Sequence, residues 1–149
     1  MNTIVKDGKF SVADTPDFTF APVETETPES SIDIAADTDP RTIIKRVGNA
    51  PAIRIDFPTS HDGRGFSIAS ALRRSGYRGH LRAFGHVLAD QYPLALRSGF
   101  DDVEITHELA ARQPEKQWAD ALLRVKDTYR EHLMYGANPA TVRKSGRAA

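Results

Sequence analysis

The chain has 149 residues, 40% of them hydrophobic and 27% charged, which suits one soluble globular domain with its own core. It contains no cysteine, so disulfide staples, thiol catalysis, thiolate zinc sites and cysteine-held iron–sulfur clusters are excluded. Its zero net charge is unevenly laid out: residues 1–40 set two lysines against nine acids, and residues 41–100 set ten basic residues against three acids. Such asymmetry marks either a surface for an anionic partner or an acidic N-terminus lying against a basic middle.

In chain order, Asp7-Gly8 between Thr3–Lys6 and Lys9–Val12 is a hairpin signal. Residues 13–30, with Pro16, Pro22 and Pro28 among Thr, Glu and Asp, read as a loosely held connector. A strand over residues 31–35 follows. Asp39 then caps a helix with Pro40 at its first position, ending at Gly48. The pattern repeats with strand Ala52–Phe57, helix Phe66–Ser75, strand His80–Phe84, helix Val87–Ser98 and strand Asp102–Ile105. A long amphipathic helix closes the domain, aligning Trp118, Leu122, Val125 and Tyr129 on one face. A flexible basic tail is expected over residues 135–149.

Strands separated by helices predict an α/β fold: a mainly parallel sheet of about four strands, preceded by an N-terminal β-hairpin. Ile32 and Ile34 flank Asp33, and Ile53, Ile55 and Phe57 flank Arg54 and Asp56. This alternation favours two layers, with helices on one face and a polar opposite face. A doubly wound, flavodoxin-like sheet is the alternative. No apolar run reaches the roughly 18–20 residues of a membrane span, and no signal peptide is legible, so a cytoplasmic location and no membrane partner are expected.

Ligands of parallel sheets bind where strands end and helices begin. The first such loop is Asp62-Gly63-Arg64-Gly65-Phe66-Ser67. Its glycines allow close backbone approach, Arg64 offers a planar guanidinium for an anion or an acidic partner, and Ser67 stands at a helix start. Asp62 orients Arg64 or caps the turn. The plainer reading is a turn, a cap and a solvated arginine. The second loop brings His86 to the same edge, with Asp90 and Gln91 one turn on, and His86 is a candidate proton carrier. Arg82, mid-strand, needs a partner, and Asp56 on the preceding strand is the natural one, unless the two extend the binding site inward. No catalytic residue is identifiable. No metal site, nucleotide or flavin motif, or other cofactor is recognised, and no nucleic-acid recognition motif accompanies the arginines.

Phe57-Pro58, Asp62 to Ser67, Leu72-Arg73, Gly79 to Ala83, Gly85, Asp90-Gln91 and Gly99-Phe100-Asp101 together resemble one bacterial family. It is domain-of-unknown-function family nine-three-four, and the likeness covers residues 51–105 best. The resemblance implies an accessory role in assimilatory sulfate and sulfite reduction, which feeds cysteine biosynthesis. Sulfite reductase, or another sulfur-assimilation protein, is then the expected partner. The other readings are a small enzyme acting on an anionic metabolite at the same loop and a purely structural or interaction protein.

Overall fold

The computed structural model describes residues 2–12, 18–22, 31–47 and 49–124. The predicted tail, Val125 and Tyr129 lie outside these residues. The strands are β1 (Thr3–Lys6), β2 (Lys9–Val12), β3 (Phe20–Pro22), β4 (Ser31–Ile34), β5 (Ala52–Phe57), β6 (His80–Gly85) and β7 (Asp102–Ile105). The helices are α1 (Pro40–Val47), α2 (Arg64–Arg74), α3 (Tyr92–Ser98), α4 (His107–Arg112) and α5 (residues 115–124).

The expectation of about four strands is corrected: one seven-stranded sheet runs in the order β2-β1-β7-β6-β5-β4-β3. Two additions enlarge it. The hairpin does not stand apart, because β1 pairs antiparallel with β7, setting Val5 opposite Val103. At the other edge, three residues of the expected connector form β3, parallel to β4. Backbone groups at the flanks of a four-stranded sheet would otherwise lack partners, and both additions supply them. The hairpin turn is the one its residues demand, with φ of 53° at Asp7 and 73° at Gly8.

From β3 to β7 every parallel connection steps in the same direction across the sheet. Right-handed crossovers that never reverse place their helices on a single face. The doubly wound alternative is therefore corrected as well, since it needs a reversal of strand order. Ile32, Ile34, Ile53, Ile55, Leu81, Val103 and Ile105 point to the helical face and are buried. Phe66, Ile68, Ala69 and Leu72 meet them from α2, spaced to face one side of a helix. Asp39 caps α1 as its sequence predicts: its carboxylate accepts the Arg41 N–H at 2.9 Å.

A short helix, α4, precedes the closing helix α5. Pro114 lacks the N–H that would carry α4 onward, so a break separates α4 from α5. The break lets Trp118 bury fully against Tyr92, ring centroids 5.4 Å apart, with its indole N–H donating to the Gln113 carbonyl.

Arg73 ties together the edge where the parallel strands begin. Its guanidinium donates to the carbonyls of Gly99 (3.0 Å), Tyr77 (3.0 Å) and Gly79 (2.8 Å) and to the Asp101 carboxylate (2.9 Å). Tyr77 extends the stitching by donating its hydroxyl to the Ala50 carbonyl. Arg73→Ala is expected to lower unfolding free energy by about 2–4 kcal/mol, because several acceptors lose a charged donor together. Arg73→Lys is expected to recover less than half, since an ammonium lacks the planar fork. Urea denaturation checks both; a loss below about 0.5 kcal/mol for the alanine variant would show that the edge holds without it.

Candidate functional site

The loops after β5 and β6 lie on one edge, as parallel strands require. Gln91 clamps them: its side-chain N–H donates to the Ser60 carbonyl at 2.9 Å, and its side-chain oxygen accepts the Leu88 N–H at 2.9 Å. One exposed ledge results, formed by residues 58–64 and 86–91. The sequence-predicted residues Asp62, Gly63, Arg64, His86, Asp90 and Gln91 all stand on it, with Ser67 exposed just inside α2.

Their local chemistry differs from an open anion cradle. Arg64 is already bound, its Nε to Asp62 at 2.9 Å and its Nη2 to Asp62 at 2.6 Å. The Arg64 N–H also donates to the Asp62 carboxylate, closing a short turn. Hydrogen bonds from the Arg64 side chain, then its backbone, hold the Asp62 carboxyl down at about 2. Asp62 therefore does orient Arg64, whose side chain keeps 59% of its exposure. Neither glycine adopts a positive φ; Gly63 sits at −86°. Gly65 is small for packing, because a Cβ there would enter the Phe57 ring. His86 is exposed and held by its N–H to the Phe57 carbonyl at 2.9 Å. Asp90 is exposed, with Arg124 at 3.7 Å.

The supposed Asp56–Arg82 pair is not formed. Register places Asp56 beside Phe84, and Arg82 beside Arg54, on the neighbouring strands. Arg82 turns instead to β7, donating to Asp102 through Nε and Nη2, each at 2.9 Å.

That pair belongs to a network across the sheet face opposite the helices. Arg54 grips Asp33 on β4 (Nη2 at 2.8 Å) and Glu104 on β7 (Nη1 at 3.1 Å). Asn2 donates to Glu104 at 2.8 Å. His80 Nε2 lies 2.9 Å from Asp102, off the line of a good hydrogen bond. Aromatic rings cover the charges: Phe20 and Phe84 flank the Arg54 guanidinium at 4.5 and 4.7 Å, and Phe18 rests on His80 at 5.0 Å. Beside this cover, Asp33, Asp37, Arg54, Asp56 and Phe84 line an open depression of about 490 Å³.

The sequence signalled this face through alternating charges on β4, β5 and β7. It did not show which charges meet, because pairing needs strand order and register. Phe18 and Phe20 were hidden inside the presumed connector.

The network has a pH consequence. Burial would raise the Asp102 carboxyl, but the close approach of His80 and the hydrogen bonds and charge of Arg82 outweigh it and hold the group below its ordinary value. A depressed carboxyl stabilises the fold above the unfolded pKa and loses that contribution as pH falls toward its lowered value. Stability in urea is expected to drop below about pH 4, more steeply in wild type than in Arg82→Ala. At neutral pH, Arg82→Ala is expected to cost about 3–5 kcal/mol by leaving Asp102 buried and poorly compensated. Equal pH slopes would sink this account.

The packing role of Gly65 has its own test. Gly65→Ala is expected to cost about 1–3 kcal/mol, whereas Gly63→Ala, facing open space, costs less than about 1 kcal/mol. Comparable losses at both positions, by chemical denaturation, would contradict the assignment.

Residues 31–138 match the family described as bacterial protein of unknown function (DUF934), and the chain belongs to that family. No curated protein and no solved structure matches the chain. Among the described residues, no helix is long and apolar enough to cross a membrane.

Proposed function

We propose that this family member is an accessory protein of assimilatory sulfite reduction that binds a partner protein, sulfite reductase, through the ledge of residues 58–64 and 86–91. The observation that carries the binding part is the Gln91 clamp, which makes two loops one preformed surface and lowers the ordering cost of association. The Asp62–Arg64 pair favours a protein over a free small anion. An isolated oxyanion must compete with Asp62 for the guanidinium, whereas a protein surface can contact the exposed Arg64 while its pair with Asp62 stays formed. The buried arginine expected to help an enzyme, Arg82, is committed to Asp102 beneath the aromatic cover. The sulfur assignment rests on the likeness of the motif series between residues 51 and 105, and a cytoplasmic setting goes with it.

Two measurements test the reading. Deleting the gene in its bacterial host is expected to slow growth on sulfate, with rescue by cysteine or sulfide. Growth on sulfate at the wild-type rate would remove the sulfur assignment. Retention of sulfite reductase by the immobilised chain is expected to fall at least about tenfold in Arg64→Ala, with an unchanged melting temperature. Undiminished retention would place the contact elsewhere.

A further inference from the structure

Each crossover returns its helix to the edge where the next strand begins, so the C-terminal ends of α1, α2 and α3 line one edge. Lys45, Arg74 and Arg97 occupy the last turns of these helices, and Arg78 lies in the loop after α2. All four are exposed, and none has an ion-pair or hydrogen-bond partner among the described residues. This sets them apart from Arg41, Arg54, Arg64, Arg73 and Arg82, each of which holds a carboxylate. The unpaired charge of the basic middle therefore collects at this edge, opposite the ledge.

Cations in last turns offset helix dipoles, and that effect has a magnitude. Three helix C-termini amount to roughly −0.5 charge each, about −1.5 together, against four unpaired cations. A surplus of about +2.5 remains. The surface bearing it is firm, because Arg73 and Tyr77 lock residues 50, 77, 79, 99 and 101 to one another. A depression of about 380 Å³ opens there between Arg73, Tyr77, Arg78 and Asp101.

We propose that this basic border is a second interaction surface, fitted to a carboxylate-rich face of a protein. Two features favour a protein over nucleic acid. Tyr77, the ring of this border, is buried with its hydroxyl bound to Ala50, so it offers no platform for a base. The Asp101 carboxylate, 44% exposed, interrupts the cations. A patchwork protein surface accommodates such an interruption, whereas a continuous phosphate backbone is repelled by it.

The test compares the full wild-type chain with an Arg74→Glu/Arg78→Glu/Arg97→Glu variant. Labelled poly-L-glutamate and a labelled duplex of about 20 base pairs serve as probes, read by fluorescence anisotropy at about 50 mM salt. The wild type is expected to bind poly-L-glutamate, to weaken at about 200 mM salt, and to bind the duplex less tightly. The variant is expected to lose at least about tenfold in affinity while keeping its circular dichroism spectrum. Equal affinity of wild type and folded variant, or tighter binding of the duplex, overturns the proposal. Should the triple variant fail to fold, Arg78→Glu alone is read in its place, with a loss of about threefold expected and an unchanged affinity overturning the proposal. Because no substituted residue belongs to the ledge, the outcome is independent of sulfite reductase binding.

Discussion

From β3 to β7 the chain always crosses to the next strand in the same direction, and the handedness of βαβ crossovers turns this regularity into a division of the molecule. One sheet face receives the helices and the apolar half of each alternating strand. The other receives the charged half and, among the described residues, no helix. Buried charges are tolerable only when paired, so the second face must match cations to carboxylates across several strands. Arg54 and Arg82 do this with Asp33, Glu104 and Asp102, and the aromatic residues of the 18–20 stretch shield them.

The same constraint removes the usual crevice. Parallel sheets offer a ligand cleft where strand order reverses, and this one does not reverse. What remains on the carboxyl edge is an exposed ledge, with Gln91 supplying the rigidity that a cleft would otherwise provide. On the opposite edge, the one-sided arrangement brings three helix ends and their basic last turns together. Two edges of different character thus follow from one topological rule: a ledge bearing Asp62, Asp90 and a self-paired arginine, and a border of unpaired cations.

Most of the local structure was legible in the sequence. The Asp7-Gly8 turn, the Asp39-Pro40 start of α1 and the alternation in β4, β5 and β7 each rest on neighbouring residues, and short-range sterics suffice to read them. The placement of Asp62, Arg64, His86 and Gln91 on one edge was also legible, since it follows from parallel pairing. The role of Gly65 was not. Its two neighbours in the loop suggested an anion cradle, and the Phe57 ring that requires its smallness is eight residues away.

The sequence by itself determined which residues face in and which face out along each strand, because a strand alternates whatever its neighbours are. It also determined that the middle of the chain is basic and that thiol chemistry is absent. Only the tertiary structure decided that Arg82 meets Asp102 and not Asp56, that Phe20 belongs to the sheet, and that Lys45, Arg74, Arg78 and Arg97 share a single edge. These facts depend on strand order and register, which are set by contacts between residues far apart in the chain. A one-step change of register would turn every one of those side chains to the other face.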